Sequence, residues 1–300
     1  MKDRLLLIDA NSLVHRAYHA LPPLTGPEGQ PTGALYGLAS VLIKLFKEDT
    51  PRYAAAAFDR KEPTFRKEQY EAYKATRQPT PDNLITQLKE APKLMKCFGV
   101  HPLDAVGYEA DDLIATLATK FASSKVEVEI MSGDLDILQM VEDGKIFAQI
   151  PKKGINETII FTEKEVKERF GVTPSKLADY KGLVGDTSDN IPGVSGIGPK
   201  SAVGLLLEFG TIEGIYENLE RIKKDKPPLG EKLETGKESA LMSKYLATLI
   251  KDAPSPDDLE VFEVGNPLKS ETTKKCLEEL GFKTLLKRLE ETKQEANRLF

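Results

Sequence analysis

Cysteine and histidine are scarce in this chain of 300 residues, which contains two cysteines and three histidines. A structural zinc site takes about four such ligands from closely spaced positions, and the sequence has no such cluster. Cys97 and Cys276 lie far apart in the sequence, in helix-like contexts. These features predict reduced thiols in a cytoplasmic protein rather than a disulfide-stabilised fold.

Long hydrophobic runs are also missing, since no apolar stretch approaches the ~20 residues of a transmembrane helix. The amino terminus leads directly into a strand-like segment, without a signal-peptide cleavage pattern. A chain of 300 residues is long enough to bury a large core, as one large domain or two coupled ones. We therefore expect a cytoplasmic protein with no membrane partner.

Three predicted strands each lead into an aspartate, and helical patterns separate them along the chain. The second strand also fits a helix, but its shortness and the preceding Pro51 favour a strand. Such alternation predicts an α/β fold with a mainly parallel sheet, in which binding sites form at the carboxyl ends of the strands. The three aspartates should therefore meet at one edge of the sheet. The pairs are residues 5–8 with Asp9, 53–58 with Asp59, and 126–131 with Asp134.

The densest acidic motif is Gly-Tyr-Glu-Ala-Asp-Asp at residues 107–112. An apolar stripe at helical spacing follows it, so Glu109, Asp111 and Asp112 fall in the first turn of a helix. One acid there is explained by the helix dipole, which stabilises it by a few tenths of a kcal/mol. Three acids beside a buried face repel one another, and a divalent cation would relieve that repulsion.

Residues 60–78 interleave basic and aromatic side chains. Such a pattern suits a surface that neutralises phosphates and stacks unpaired bases, but a solvated amphipathic helix explains it equally well. A second helix is predicted to start after Thr80, and Pro92 should kink it or end its first half.

A glycine-rich run at residues 182–201 predicts a helix, a hairpin and a second helix that starts at Pro199. Pro199 and the lack of a preceding strand exclude a phosphate-binding P-loop. Gly196 and Gly198 would let the backbone approach a phosphate, the free N–H groups of the second helix would donate to it, and Lys200 would add charge. A purely structural turn is the alternative.

Taken together, these motifs resemble the 5′-nuclease (flap endonuclease) family, in particular the 5′→3′ exonuclease domain at the N-terminus of bacterial DNA polymerase I. The resemblance covers about residues 4–290 and rests on acidic motifs in the same order. It implies a PIN-like α/β core at residues 1–172, with a helical arch at about 60–100. It also implies a helical region at 173–300 with a helix–three-turn–helix, or helix–hairpin–helix, DNA-binding motif. A stand-alone nuclease and a domain of a longer polymerase both remain open.

The resemblance also assigns roles to matching positions. Two Mg²⁺ ions, which Mn²⁺ can replace, would be bound by nine catalytic carboxylates. Lys74 and Arg77 would act on the scissile phosphate and, with Arg66 and Tyr73, hold the 5′ strand. The hairpin would bind duplex DNA, with K⁺ on its carbonyls. The carboxylates are Asp9, Asp59, Glu109 and Asp111 for the first metal, Asp134, Asp136 and Asp186 for the second, and Asp112 and Asp189 nearby; the hairpin residues are Gly196, Ile197, Gly198, Lys200 and Ser201.

A formal net charge of −5 argues on its own against a nucleic-acid partner. Setting nine site acids aside from the 47 leaves 38 acids against 42 Lys and Arg, a formal charge of +4 that suits phosphate contacts. The resemblance therefore implies a monomeric, structure-specific 5′ nuclease that hydrolyses DNA by two-metal catalysis, in RNA-primer removal and DNA repair. Its substrates would be DNA with a 5′ flap, nick or 5′ end, and a DNA polymerase would act in cis or in trans.

Three other functions fit parts of the sequence. A haloacid-dehalogenase-like phosphatase needs an aspartate two positions after Asp9, where this chain has Asn11. A PIN-type ribonuclease shares the core but lacks the hairpin after Asp189. A non-catalytic DNA-junction binder would be expected to lose some of the nine carboxylates, and all nine are present.

Overall fold

The computed structural model describes residues 2–152 and 157–297. Its centre is a six-stranded sheet in the order β3-β2-β1-β4-β5-β6, parallel throughout except for the antiparallel pair β5–β6. The α/β prediction and the three predicted strands are confirmed. The sequence patterns did not predict β3, β5 and β6, of which β3 has only three residues and includes a proline. The strands are β1 (Asp3–Asp9), β2 (Tyr53–Ala57), β3 (His101–Leu103), β4 (Val126–Met131), β5 (Ile146–Pro151) and β6 (Thr158–Phe161).

Helices cover both faces of the sheet and make up most of the chain after residue 162. The amino-terminal helices are α1 (Ala10–Ala20), α2 (Gly33–Glu48), α3 (Phe65–Gln69), α4 (Asp82–Cys97), α5 (Ala110–Phe121) and α6 (Glu163–Phe170). The later helices are α7 (Leu177–Val184), α8 (Pro199–Phe209), α9 (Ile212–Glu217), α10 (Leu219–Asp225), α11 (Pro227–Thr235), α12 (Lys237–Ala247), α13 (Glu271–Glu279) and α14 (Lys283–Asn297).

Alternating side chains of β1 supply two separate cores. Leu5 and Leu7 pack with α5 and the later helices on one face. Leu6 and Ile8 pack with α1, α2 and α4 on the other. A strand that is apolar on both faces is what a parallel sheet covered on both sides requires.

The strand order reverses at β1, which pairs with β2 on one side and with β4 on the other. In open α/β sheets, the crevice outside the carboxyl ends at such a reversal is where ligands bind. Asp9 ends β1, while Asp59 and Asp134 follow β2 and β4 within three residues. The prediction that the three aspartates share one edge is therefore confirmed by the register of these strands.

Two local helix predictions need correction. The basic–aromatic segment 60–78 contains only the five-residue helix α3, followed by turns at 71–76. Helix α4 continues through Pro92 to Cys97, so Pro92 does not end the helix, which was one of the two predicted outcomes. Thr32, the residue before α2, makes no capping hydrogen bond with its side chain. Instead, Ala34 and Leu35 donate their backbone N–H groups to Gln87 of α4, a tertiary cap that local sequence cannot reveal.

The two cysteines are joined in the structure. Cys97, the last residue of α4, forms a disulfide with Cys276 of α13, with Cα atoms 6.3 Å apart. The prediction of two free thiols is wrong, because a separation of 179 residues in sequence conceals a contact between neighbouring helices. Within the described ranges, no helix is long and apolar enough to cross a membrane.

Candidate metal centre and nucleic-acid interface

Asp9 lies at the centre of the acidic edge and caps α1. Its Oδ1 accepts a hydrogen bond from the Ser12 backbone at 2.9 Å, and its Oδ2 accepts one from the Ser132 hydroxyl at 2.7 Å. The Ser132 hydroxyl also accepts a hydrogen bond from the Asp134 backbone at 2.9 Å. Ser132 thus fixes the carboxyl ends of β1 and β4 relative to each other, a role the sequence analysis did not assign.

Four carboxylates at this edge influence one another electrostatically. Burial, together with the neighbouring Asp59 and Asp134, raises the pKa of Asp9 to about 7. Burial and the charges of Asp9 and Asp134 raise the pKa of Asp111 well above its ordinary value. Burial likewise raises the pKa of Asp134. Asp111 Oδ1 is buried and has no hydrogen-bond partner among the residues that the structure describes. Asp9, Asp111 and Asp134 thus form a group of desolvated acids that repel one another, and binding of a divalent cation relieves such repulsion.

Asp59 and Glu109 flank this group at the start of α5. Asp59 Oδ1 accepts the N–H of Ala110, the first residue of the helix, at 2.8 Å. Glu109 is the N-cap residue, and its carboxylate accepts hydrogen bonds from Lys74 Nζ at 2.8 Å and the Tyr73 hydroxyl at 3.0 Å. The structure therefore brings the predicted first-metal residues together with an arch lysine.

A second set of acids shares one lysine. The Lys181 ammonium, on α7, forms ion pairs with Asp136 and Asp186. Although burial alone would raise it, Lys181 and hydrogen bonds from Ser188 lower the pKa of Asp186 to about 2. The sequence patterns did not predict a role for Lys181. The feature that could have indicated one is its position on the helix just before Asp186, five residues upstream of it.

Asp189 holds the arch segment by hydrogen bonds. Its carboxylate accepts hydrogen bonds from Arg77 Nη2 at 2.6 Å and the Tyr73 hydroxyl at 3.1 Å, and its carbonyl accepts the Lys74 N–H at 2.9 Å. Lys74 adopts φ +55°, a conformation uncommon for a residue other than glycine. Tyr73 is only 4% exposed, so the predicted base-stacking role is not available to it in this conformation.

Asp112 and Arg66 do not occupy their predicted roles. Asp112 is fully buried, and its two oxygens accept both Arg66 Nη atoms at 2.7 Å, the Ile250 N–H at 2.9 Å and the Glu109 N–H at 3.1 Å. Arg66 is 2% exposed and also donates to the carbonyls of Leu246 and Thr248. With four donors on Asp112 and a buried guanidinium, neither side chain is free to bind metal or DNA directly.

The predicted hairpin lies between α7 and α8. Gly196, Gly198, Lys200 and Ser201 are exposed, and α8 begins at Pro199 as expected. Ile197 is 5% exposed and packs in the core, so only its backbone could meet a phosphate. Gly196 has φ +76°, and a side chain there would meet Lys232 at 3.0 Å. Gly198 has φ −97° and open space around it, so glycine is not sterically required there.

The geometry of the acids does not match a metal site, whereas their chemistry does. Among the described residues, no three His, Cys, Asp or Glu side chains lie in ligating geometry. Instead, positive side chains form ion pairs with these acids. Lys74 pairs with Glu109, and Lys181 pairs with both Asp136 and Asp186. The chemistry of the donors nevertheless fits a hard cation, since all are carboxylates and Asp111 Oδ1 accepts no hydrogen bond from the described part of the chain.

An α/β core with a carboxylate-lined crevice, joined to a helical region that carries a glycine hairpin, is the architecture of metal-dependent 5′ nucleases. The chain belongs to the 5′-3′ exonuclease family. The family's N-terminal resolvase-like domain matches residues 4–171, and its C-terminal SAM fold matches residues 172–270. The resemblance inferred from the acidic motifs is thereby confirmed.

Curated relatives of the chain are DNA polymerases I. It is 40% identical over 295 residues to DNA polymerase I of Bacillus subtilis, an alignment that covers 98% of this chain and 33% of that protein. It is 41% identical over 288 residues to that of Caldicellulosiruptor bescii, covering 95% of this chain and 33% of the relative. The chain thus spans about a third of the length of these relatives.

Two solved structures share its fold. T5 5′-exonuclease with bound zinc matches with a TM-score of 0.68 at 21% identity, covering 97% of this chain and 98% of that one. The catalytic core of Rad2 in complex with DNA substrate matches with a TM-score of 0.61 at 17% identity, covering 96% and 93%. These likenesses establish the fold of this chain.

Proposed function

We propose that this chain is a metal-dependent 5′→3′ exonuclease and 5′-flap endonuclease that hydrolyses DNA phosphodiesters. The observation that carries the proposal is the group of Asp9, Asp111 and Asp134, which are desolvated and repel one another beside the exposed Asp59 at the reversal of strand order. Burying several carboxylates together is costly unless a cation neutralises them. Family membership supports the same assignment.

The proposed cofactor is a pair of Mg²⁺ ions, which Mn²⁺ can replace. Bound there, they would supply an activated water and neutralise charge on the reacting phosphate. Asp189 would act nearby through water. Asp112 is left out of this set, because its oxygens are already engaged by four donors. The proposed ligands are Asp9, Asp59, Glu109 and Asp111 for one ion, and Asp134, Asp136 and Asp186 for the other.

Lys74, Arg77 and Lys181 neutralise acids of the site in this structure. A substrate phosphate offers Lys74 and Arg77 an alternative anion, so these two side chains would orient and stabilise the phosphate undergoing cleavage. Lys181 forms ion pairs with both Asp136 and Asp186 and holds them close together, ready for a cation to replace its ammonium. Tyr73, whose hydroxyl bridges Glu109 and Asp189, positions the arch segment over the acids.

The hairpin is proposed to bind a phosphate of the duplex arm. Exposed Gly198, Lys200 and Ser201 lie at the amino end of α8, where N–H groups without helical partners attract anions. K⁺ on hairpin carbonyls would strengthen this contact. The division into a core at 1–172 and a helical DNA-binding region at 173–300 remains part of the proposal.

The proposed setting is the bacterial cytoplasm. A monomer would remove RNA primers and repair-generated flaps, acting on DNA with a 5′ flap, nick or 5′ end. A DNA polymerase, in the same chain or as a separate protein, would extend the adjoining 3′ end. The part played by any such polymerase follows from the relatives, of which this chain spans about a third.

The deciding experiment is cleavage of labelled 5′-flap, nicked and single-stranded DNA with Mg²⁺ or with EDTA. We expect short 5′ products from flap and nicked DNA with Mg²⁺ and none with EDTA. The Asp134→Asn variant should lose cleavage and retain DNA binding in Ca²⁺. Binding without cleavage by the wild type would indicate a junction-binding protein. Preference for RNA would indicate a PIN-type ribonuclease, and release of phosphate from a small phosphomonoester would indicate a phosphatase.

A further inference from the structure

A cavity of about 550 Å³ adjoins the carboxylate edge, on the side of Asp59 that faces α4. Apolar side chains line much of it, with Phe58 from the end of β2 and Ile85, Leu88 and Pro92 from one face of α4. Its volume lies within the range of small-molecule sites and is ample for one nucleobase. Apart from Asp59, none of the residues with a role assigned above lines this cavity.

The charges around the cavity suit a phosphate backbone at its mouth. Three carboxylates line the cavity, and Arg60 forms ion pairs with two of them, Glu62 at 3.0 Å and Asp104 at 2.6 Å, while the third, Asp59, is a proposed metal ligand. Lys61 and Lys89 also line the cavity, and no ion pair joins either of them to a carboxylate among the described residues. Two exposed cations beside an apolar floor match a nucleotide, whose base is apolar on its faces and whose phosphate is anionic.

Pro92, singled out in the sequence because a proline inside a helix is unusual, gains a role here. It has no N–H, so the carbonyl of Leu88 loses its helical donor four residues on. Leu88 and Pro92 both line the cavity, so the part of α4 at this interruption of the helical hydrogen bonds forms part of its wall.

We propose that this cavity, which we call the flap-base pocket, receives one unpaired base of the 5′ strand next to the cleaved phosphate. The inference rests on the proposed function, because Asp59 is both a wall of the pocket and a proposed metal ligand. A strand whose phosphate lies over the carboxylates would have its neighbouring nucleotide within reach of the pocket.

The test is an abasic scan read as binding in Ca²⁺, so that no cleavage is needed. A set of 5′-flap DNAs carries one abasic nucleotide at successive flap positions. The wild type should lose about tenfold in affinity at one position and less than twofold at the others. Leu88→Trp, which fills the pocket, should bind the intact flap about tenfold more weakly, and the abasic nucleotide should then cause no further loss.

Matched variants control for fold and for general charge. Val261→Trp adds the same ring at an exposed position near Glu263, which pairs with the amino end of β2, and should retain the abasic effect. Lys89→Ala should lower the salt slope of flap binding by about 0.7. Lys93→Ala, on the same helix but beside Glu279 and another cavity, should leave the slope unchanged. Thermal unfolding of each variant verifies that it is folded.

The pocket assignment would be wrong if no abasic position weakened binding by the wild type. It would also be wrong if the Leu88→Trp variant lost as much affinity at the abasic position as the wild type does. Cleavage of the intact flap in Mg²⁺ tests the proposed function separately. Cleavage without an abasic effect rejects the pocket alone, whereas an abasic effect without cleavage rejects the nuclease assignment and retains the pocket.

Discussion

The buried pair of Arg66 and Asp112 offers a sharp test, because the sequence and the structure assign it different roles. The acidic motif predicted Asp112 as a metal-binding carboxylate. The structure places it inside the protein, where it joins the start of α5 to Arg66 of α3 and to the loop after α12. The perturbation is Asp112→Asn, which retains the shape of the side chain and removes its charge.

The expected loss follows from the burial of both partners, Arg66 at 2% and Asp112 at 0% exposed. Removing one partner of a buried ion pair leaves an uncompensated charge and costs about 3–5 kcal/mol of the free energy of unfolding. With an unfolding entropy near 2.1 cal/mol/K per residue, a loss of about 4 kcal/mol lowers Tm by about 6 °C for 300 residues. The loss should be the same in EDTA as in Mg²⁺ once the stabilisation by bound metal is subtracted.

The assay is thermal and urea unfolding in EDTA, combined with calorimetric titration of Ca²⁺. Asp257→Asn is the matched control, since Asp257 makes a 2.8 Å ion pair with Lys120 while 96% exposed, and solvent screening leaves such surface pairs with little effect on stability. An Asp112→Asn variant with wild-type Tm but one fewer bound Ca²⁺ would refute the structural role and restore Asp112 as a ligand.

Three further predictions concern the rest of the site. Lys74→Ala should slow single-turnover cleavage of flap DNA at least 100-fold while weakening binding in Ca²⁺ less than tenfold, because its ammonium stabilises the reacting phosphate. Equal losses in cleavage rate and in binding affinity would make Lys74 a general surface charge. Gly198→Glu should fold normally, since φ is −97° and the space is open, and should weaken binding of duplex-armed DNA but not of a short single strand. An unchanged ratio of the two affinities would mean that the hairpin is only a structural turn. In EDTA, stability should fall as pH rises from about 4 to 7, because the pKa of Asp9 is about 7 in the folded protein against an ordinary value of 3.8 for an aspartate in the unfolded chain, so the folded state holds its proton more tightly. That difference corresponds to about 4 kcal/mol by linkage and should be recovered by Mg²⁺ at pH 7.5; a flat pH profile would contradict it.

Strand periodicity carried much of the fold prediction. The apolar run that ends at Asp9 has the length and composition of a strand covered on both faces, and the helical patterns between the predicted strands favour a parallel sheet. Parallel pairing then brings the carboxyl ends of β1, β2 and β4 to one edge. The meeting of Asp9, Asp59 and Asp134 was therefore predictable without any tertiary information.

The errors arose where tertiary contacts override local pattern. Asp112 carries the same charge as Asp111 and lies next to it, but a turn of 100° directs the one toward Arg66 and the other toward Asp9 and Asp134. Cys97 and Cys276 are adjacent only because α13 packs on α4. Lys181 went unnoticed because a lysine in a helix is ordinarily a solvated residue, and only the fold places it between two acids.

The arrangement of cations explains how so many buried acids are tolerated by a folded chain. Lys181 serves Asp136 and Asp186, while Lys74 and Arg77 serve Glu109 and Asp189. The group around Asp111 has no such cation within hydrogen-bond distance among the described residues, and there the pKa values rise instead. Repulsion is thus concentrated at Asp9 and Asp111, so a first divalent cation gains most by binding there. The second set must first give up Lys181, and it should bind its cation more weakly. Calorimetry with Ca²⁺ should therefore resolve a tight and a weak site, and Lys181→Met should tighten the weak one; a single class of sites unaffected by Lys181→Met would contradict this order.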